Sequence, residues 1–182
     1  MERSCGIAAV QIRKDLSYFG EFGRPGIGYE VQDLLTRLTQ IMQLDRQHRV
    51  VIVGAGNLGS ALAGYSGFVL SPFRVAGIFD NNFNKIGRQL WDLEILDVQR
   101  LAKANKELKA SIGMVAVPAD AAQEAVDLLV KAGIRAILNF APAIIEVPEG
   151  VALRHVDLTR ELEVLSYFTD LPPAEAEDSS GN

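Results

Sequence analysis

The stretch VVIVGAGNLGSAL, Val50 to Leu62, constrains the chain more than any other. A short continuous apolar run of this kind suits a strand buried on both faces of a parallel sheet. It leads directly into Gly54-Ala55-Gly56-Asn57-Leu58-Gly59, a G-x-G-x-x-G that opens a helix. In that context the first glycine permits a tight turn. The second lets backbone approach a pyrophosphate, and the third lets helix and strand pack closely. The free N–H groups of the helix start then face the anion. An acid is expected about 20 residues on, and Asp80 in AGIFD stands 21 after Gly59. A carboxylate there accepts from ribose hydroxyls and repels a 2′-phosphate. Asn81 and Asn82 follow without an arginine, which favours NAD over NADP. The plainer alternative is a glycine-rich turn in a Rossmann-like domain that takes another nucleotide, or none.

The remaining pattern alternates. FRVAGIFD, SIGMVAVP, IRAILNFA and VALRHV read as strands, with a short one possible around Glu94–Leu96. Helices are expected from Leu58 to about Phe68, over Val98–Leu108 and Ala119–Ala132, and over Leu158–Phe168. This alternation predicts an α/β fold, a Rossmann-type parallel sheet with helices on both faces. Val117-Pro118 and Asn139-Phe140 end two of the strands, where such sheets bind ligand, and are candidates for the nicotinamide side. Spacing alone equally allows ordinary strand-ending loops.

Ahead of this domain, apolar residues at helical spacing run over 7–19 and stop at Gly20. GEFGRPGIGYEV marks a tight turn between short extended pieces. Val31, Leu34, Leu35, Leu38, Ile41 and Met42 then form one stripe, predicting an amphipathic helix from Glu30 to Asp45. The expected organisation is therefore 1–45, 46–157, 158–168 and an acidic tail over 169–182, expected to be disordered. Net charge is -5, but the tail holds four acids and no base, so the rest lies within one charge of neutral. That weakens the argument against nucleic acid. No apolar run reaches the roughly 18 residues of a membrane helix and no signal peptide is visible. The single cysteine, Cys5, suits a reducing cytoplasm.

A dehydrogenase needs a substrate pocket and an acid or base. After the last strand only a helix and a tail follow. His48 precedes the first strand, and His155 reads as lying inside the last one rather than at its carboxyl end. Neither is placed for chemistry, no metal site is expected, and no catalytic residue is assigned. A cofactor without chemistry points to a sensor.

QIRKDLSYFGEFGRPGIGYEV, VGAGNLGSAL, VPADAAQEAVDLLVKAGIRAILNFAP and VPEGVALRHVDLTRELEVLSYF together resemble the Rex redox-sensing transcriptional repressors of bacteria, from Gly6 to Phe168. The resemblance implies an N-terminal winged helix before the Rossmann domain, and a homodimer whose C-terminal helices swap. It implies binding to operator DNA with NAD and release by NADH. By the same resemblance residues 8–19 are the recognition helix and Gly20 to Tyr29 the wing. Gln11, Arg13, Lys14, Ser17 and Tyr18 would meet the DNA, with Arg24 at the minor groove. Asp157 is the acid of the redox switch, and Leu162, Leu165 and Phe168 lie on the dimer helix. Without the resemblance, residues 8–19 read as a solvated amphipathic helix, since 1–24 carries a net of only +1. Two departures stand out. Family members carry further residues ahead of this point, so a shortened DNA-binding module is expected, which puts the operator DNA partner in question. NNFNKIG after Asp80 replaces an acid- and proline-containing version. The competing expectations are a stand-alone nucleotide- or CoA-binding domain and an oxidoreductase; the missing base argues against the second.

Overall fold

The structure, a computed structural model, describes residues 7–18, 20 and 29–169. Arg24, Cys5, most of the expected wing and the acidic tail lie outside the described residues. Two units divide between Gln47 and His48. In the first, the three-and-four spacing of apolar residues becomes helix α1 (Ala9–Ser17) and helix α2 (Val31–Ile41). Glu30 caps α2, its carboxylate accepting from the N–H groups of Gln32 and Asp33. The helix stops short of the expected Asp45. Gln43 takes a left-handed φ of 56°, and the N–H of Leu44 returns to the carbonyl of Thr39. This is a Schellman end with glutamine where glycine is usual.

The second unit begins with β1 (His48–Val53), then α3 (Asn57–Ala63), β2 (Phe73–Asp80), β3 (Gln89–Leu90) and β4 (Leu93–Asp97). After these come α4 (Leu101–Leu108), β5 (Ile112–Val115), α5 (Ala122–Lys131), β6 (Ala136–Asn139), β7 (Ala152–His155) and α6 (Leu158–Ser166). The sheet order is β3-β4-β2-β1-β5-β6-β7. All neighbours are parallel except β3, which pairs antiparallel with β4 at one edge. The ambiguous stretch 83–97 is thus a hairpin as well as a strand. Alternate residues of β1 serve opposite faces. Val51 and Val53 join Phe79, Val115, Val126 and Leu129 on one side. Val50 and Ile52 join Ile78, Ile95 and Met114 on the other. Burial on both faces explains why the strands read as continuous apolar runs rather than alternating ones.

The first helix of this unit is shorter than expected. It ends at Ala63, and a 3₁₀ turn over Ser66–Phe68 follows. Glycine at 64 allows a close approach there. A Cβ on it would lie 2.3 Å from the Trp91 ring, whose Nε1 donates to the Ser60 carbonyl at 3.1 Å.

Candidate functional site

β2 lies on one side of β1 and β5 on the other, so the chain changes direction beside β1. Open α/β sheets bind ligand at the carboxyl ends of strands around such a point. A cleft of about 440 Å³ lies there, lined by Gly54, Gly56, Asp80, Lys85, Val117 and Pro118 among others.

The three fingerprint glycines are needed for different reasons. Gly54 has φ +105°, and a Cβ on it would sit 2.3 Å from the Ala116 carbonyl oxygen. Its N–H donates to Phe79 O at 2.7 Å, which ties the turn to β2. A Cβ on Gly59 would fall 1.8 Å from Gly54 O, so the helix start rests directly on the turn. Gly56 is unlike either. Its φ of -83° suits any residue, and a Cβ there would meet no atom within 4 Å. The protein's own packing does not demand glycine at 56. No side chain caps α3, so its first N–H groups have no side-chain acceptor among the described residues.

Asp80 is only 6% exposed and carries three hydrogen bonds. Its Oδ2 accepts from Ala55 N at 2.8 Å and Lys85 Nζ at 2.9 Å, and its Oδ1 accepts from Asn82 N at 2.8 Å. Burial opposes ionisation of this carboxyl. The Asn82 N–H, the Lys85 ammonium and the Ala55 N–H together outweigh it and hold the group below the usual carboxylate range. A folded-state value below the unfolded one stabilises the native loop above the unfolded value of about 3.9 and ceases to do so as pH falls through the folded value. Melting temperature measured from neutral to acid pH should therefore fall more steeply below about pH 4 in the parent than in Asp80→Asn. Parallel curves would show that Asp80 does not hold the turn.

Lys85 went unnoticed in the sequence, five residues past the acid. It reaches back because Asn82 O accepts from the N–H groups of Lys85 and Ile86, and Asn82 Oδ1 from Asn84 N. An Asn two residues after a strand-ending acid is the turn signal that would have found it.

A second cleft, about 700 Å³, is lined by Leu58, Phe140, Ile144, His155, Asp157 and Arg160 among others. Here two expectations change. Asn139 does not face a ligand: it is fully buried. Its Nδ2 donates to Ala141 O at 2.8 Å and its Oδ1 accepts from Ala141 N at 3.0 Å, so it shapes the following loop. His155 is not inside the last strand but ends it at the carboxyl edge, its Nδ1 3.1 Å from Asn139 Nδ2. The double tie of Asn139 to Ala141 fixes its amide, which makes His155 Nδ1 the acceptor of this bond. His48 packs at the other end of the sheet, 5.7 Å from the Phe73 ring.

Of the other expected residues, Ala55 is buried beneath the turn and Asn57 is exposed. Asp157 caps α6, its Oδ1 accepting from Thr159 N and Arg160 N. Every residue from 157 to 169 is exposed, including Leu162, Leu165 and Phe168, so α6 is not docked on its own sheet. On α1, Ile12 and Leu16 are the more sheltered side chains, while Gln11, Arg13, Lys14, Ser17 and Tyr18 face solvent. Gln11 donates to Asp15 at 2.6 Å and Ser17 to Lys14 O at 2.7 Å. Neither Arg13 nor Lys14 forms an ion pair among the described residues. Among the described residues no group of side chains suits a metal ion, and no helix is long and apolar enough to cross a membrane.

The sequence model of the CoA binding domain matches residues 45–143, the Rossmann part alone. Relatives match much further. The redox-sensing transcriptional repressor Rex of Pelotomaculum thermopropionicum is 48% identical over 162 residues, 89% of this chain and 76% of that protein. The chain belongs to the Rex family. The Rex repressor of Carboxydothermus hydrogenoformans is likewise 48% identical, over 89% of this chain and 78% of its own. Two solved structures agree. RSP in complex with β-NAD⁺ and operator DNA superposes with a TM-score of 0.85 at 42% identity, covering 92% of this chain and 77% of that one. RSP in complex with β-NADH gives 0.79 at 41% identity, covering 92% and 78%. Rex membership places this chain among transcriptional regulators rather than enzymes, and it leaves a stand-alone nucleotide- or CoA-binding domain without support.

Proposed function

We propose that this Rex repressor reads the NADH/NAD ratio, binding operator DNA with NAD and leaving it with NADH. The observation that carries the reading is the likeness, over 92% of the chain, to a Rex-family repressor solved with β-NAD⁺ and operator DNA. The dinucleotide site fits such a ligand: Gly56 is open where a pyrophosphate needs close approach, and the start of α3 is uncapped. Gly54, Gly56 and the N–H groups of Asn57, Leu58 and Gly59 would hold the pyrophosphate. Asp80 would take a ribose hydroxyl, and Val117, Pro118 and Phe140 would border the nicotinamide. When bound, the nicotinamide supplies a ring whose charge differs between oxidised and reduced forms. Asp157 lies on the second cleft and caps α6, so it would carry a change in ring charge to the helix start. In this reading α6 covers its apolar residues on a second subunit, giving a homodimer that works in the cytoplasm.

DNA contact falls to Gln11, Arg13, Lys14, Ser17 and Tyr18 on α1. The exposed cations of α1, without an ion pair among the described residues, suit phosphates. In a mobility-shift titration with operator DNA, NAD should leave the complex intact and NADH should dissociate it. Arg13→Ala with Lys14→Ala should weaken binding and reduce the log–log salt slope by roughly 0.9 for each phosphate contact removed. Binding indifferent to NADH would sink the sensor reading; an unchanged salt slope would remove α1 from the DNA interface.

A further inference from the structure

Asp80 accepts three hydrogen bonds, one on Oδ1 and two on Oδ2. A carboxylate offers about four such positions, so one remains for a ribose hydroxyl. Lys85 stands at the same place with the opposite charge. Its side chain is 36% exposed, and its ammonium has three donors, of which one goes to Asp80 among the described residues. Lys85 is also the single cation among the described residues lining this cleft, against Asp80, Asp120 and Glu124. The absence of an arginine after Asp80 therefore does not leave the ribose end without a positive group.

We propose that Lys85 is a specificity-determining residue of the dinucleotide site: its ammonium is the group that would take a 2′-phosphate, and Asp80 excludes NADP largely by engaging that ammonium. The inference rests on the dinucleotide reading given above. Repulsion by Asp80 alone and engagement of Lys85 by Asp80 make different predictions when the charges are removed one at a time. If repulsion acts alone, neutralising Asp80 relaxes discrimination whether or not Lys85 is present. If Lys85 is the latent phosphate partner, the gain needs the lysine. A charge-assisted bond from the ammonium to phosphate is among the stronger hydrogen bonds available.

The test is fluorescence titration of the full chain with NADH and with NADPH. The parent should bind NADH and bind NADPH more weakly. Asp80→Asn should raise NADPH affinity by about tenfold or more, and Asp80→Asn with Lys85→Met should lose that gain. Lys85→Met alone leaves the acid and its tie to Ala55 in place, so it tests the idea even if Asp80→Asn unfolds. It should lower the residual NADPH affinity by about fivefold and lower NADH affinity by clearly less. An equal NADPH gain in the single and double variants, no gain in a folded Asp80→Asn that still binds NADH, or an equal loss of both cofactors in Lys85→Met would overturn the proposal. A parent that binds neither cofactor would overturn the dinucleotide site itself and this inference with it.

Discussion

Gly56→Ala should lose NADH affinity by about a hundredfold or more while melting at the parent's temperature. The new methyl enters space in which no protein atom lies within 4 Å, and the backbone at 56 is extended with negative φ. The ligand-free protein therefore has nothing to adjust. A pyrophosphate held against that backbone must move away by the width of the methyl. Its charge-assisted bonds to N–H groups are worth about 1.5–3 kcal/mol each, so losing two accounts for the expected fall. The neighbouring glycines make the contrast. Alanine at Gly59 would place a Cβ 1.8 Å from Gly54 O, and alanine at Gly54 one 2.3 Å from Ala116 O at a φ of +105°. Both should lower the melting temperature, because a backbone atom has to yield. Thermal melts with NADH fluorescence titrations separate the two kinds of glycine. Unchanged NADH affinity in Gly56→Ala would mean the pyrophosphate lies elsewhere.

Leu162→Glu combined with Leu165→Glu should turn a dimer into a monomer in sedimentation velocity. The two leucines are 66% and 59% exposed within the single chain, and Leu158, Val164, Tyr167 and Phe168 around them are more than half exposed too. α6 has no buried residue, so its apolar surface is uncovered by its own sheet. Each leucine buried against a partner contributes about 1.5–3 kcal/mol. Changing two per subunit in a symmetric dimer should therefore weaken association by more than about 10⁴-fold. Because these side chains are mostly exposed in the single chain, the NADH site should remain folded, which titration checks. A parent that sediments as a monomer, or a variant that stays dimeric, would rule out α6 as the dimer contact.

The rest of the site separates by the range of the interactions involved. The fingerprint, the strand that carries it and the acid at the end of β2 were legible because each is a local event. Burial on both faces writes a continuous apolar run, and a glycine turn needs its glycines at set spacings. The helical stripe of α2 was readable for the same reason, although its end was not. Gln43 occupies a left-handed position where a glycine would have announced the stop. The break after Ala63 is similar: Gly64 is visible as a letter, but its purpose is the Trp91 ring, which arrives from the β3–β4 hairpin.

The sequence by itself determined the fold class and the glycine turn, since alternation and set spacings are local, and four stretches between Gly6 and Phe168 together carried the resemblance to the family. Only the tertiary structure decided what the polar groups at the sheet's carboxyl edge do. Lys85 meets Asp80 because the Asn82 turn folds back. Asn139 is drawn into Ala141 rather than left for a ligand, and His155 ends β7 beside it because β6 and β7 are paired in register, Asn139 opposite His155. Those pairings depend on where a loop returns and which strands are neighbours. Backbone hydrogen bonds and core packing across the whole sheet set both, and no local spacing records them.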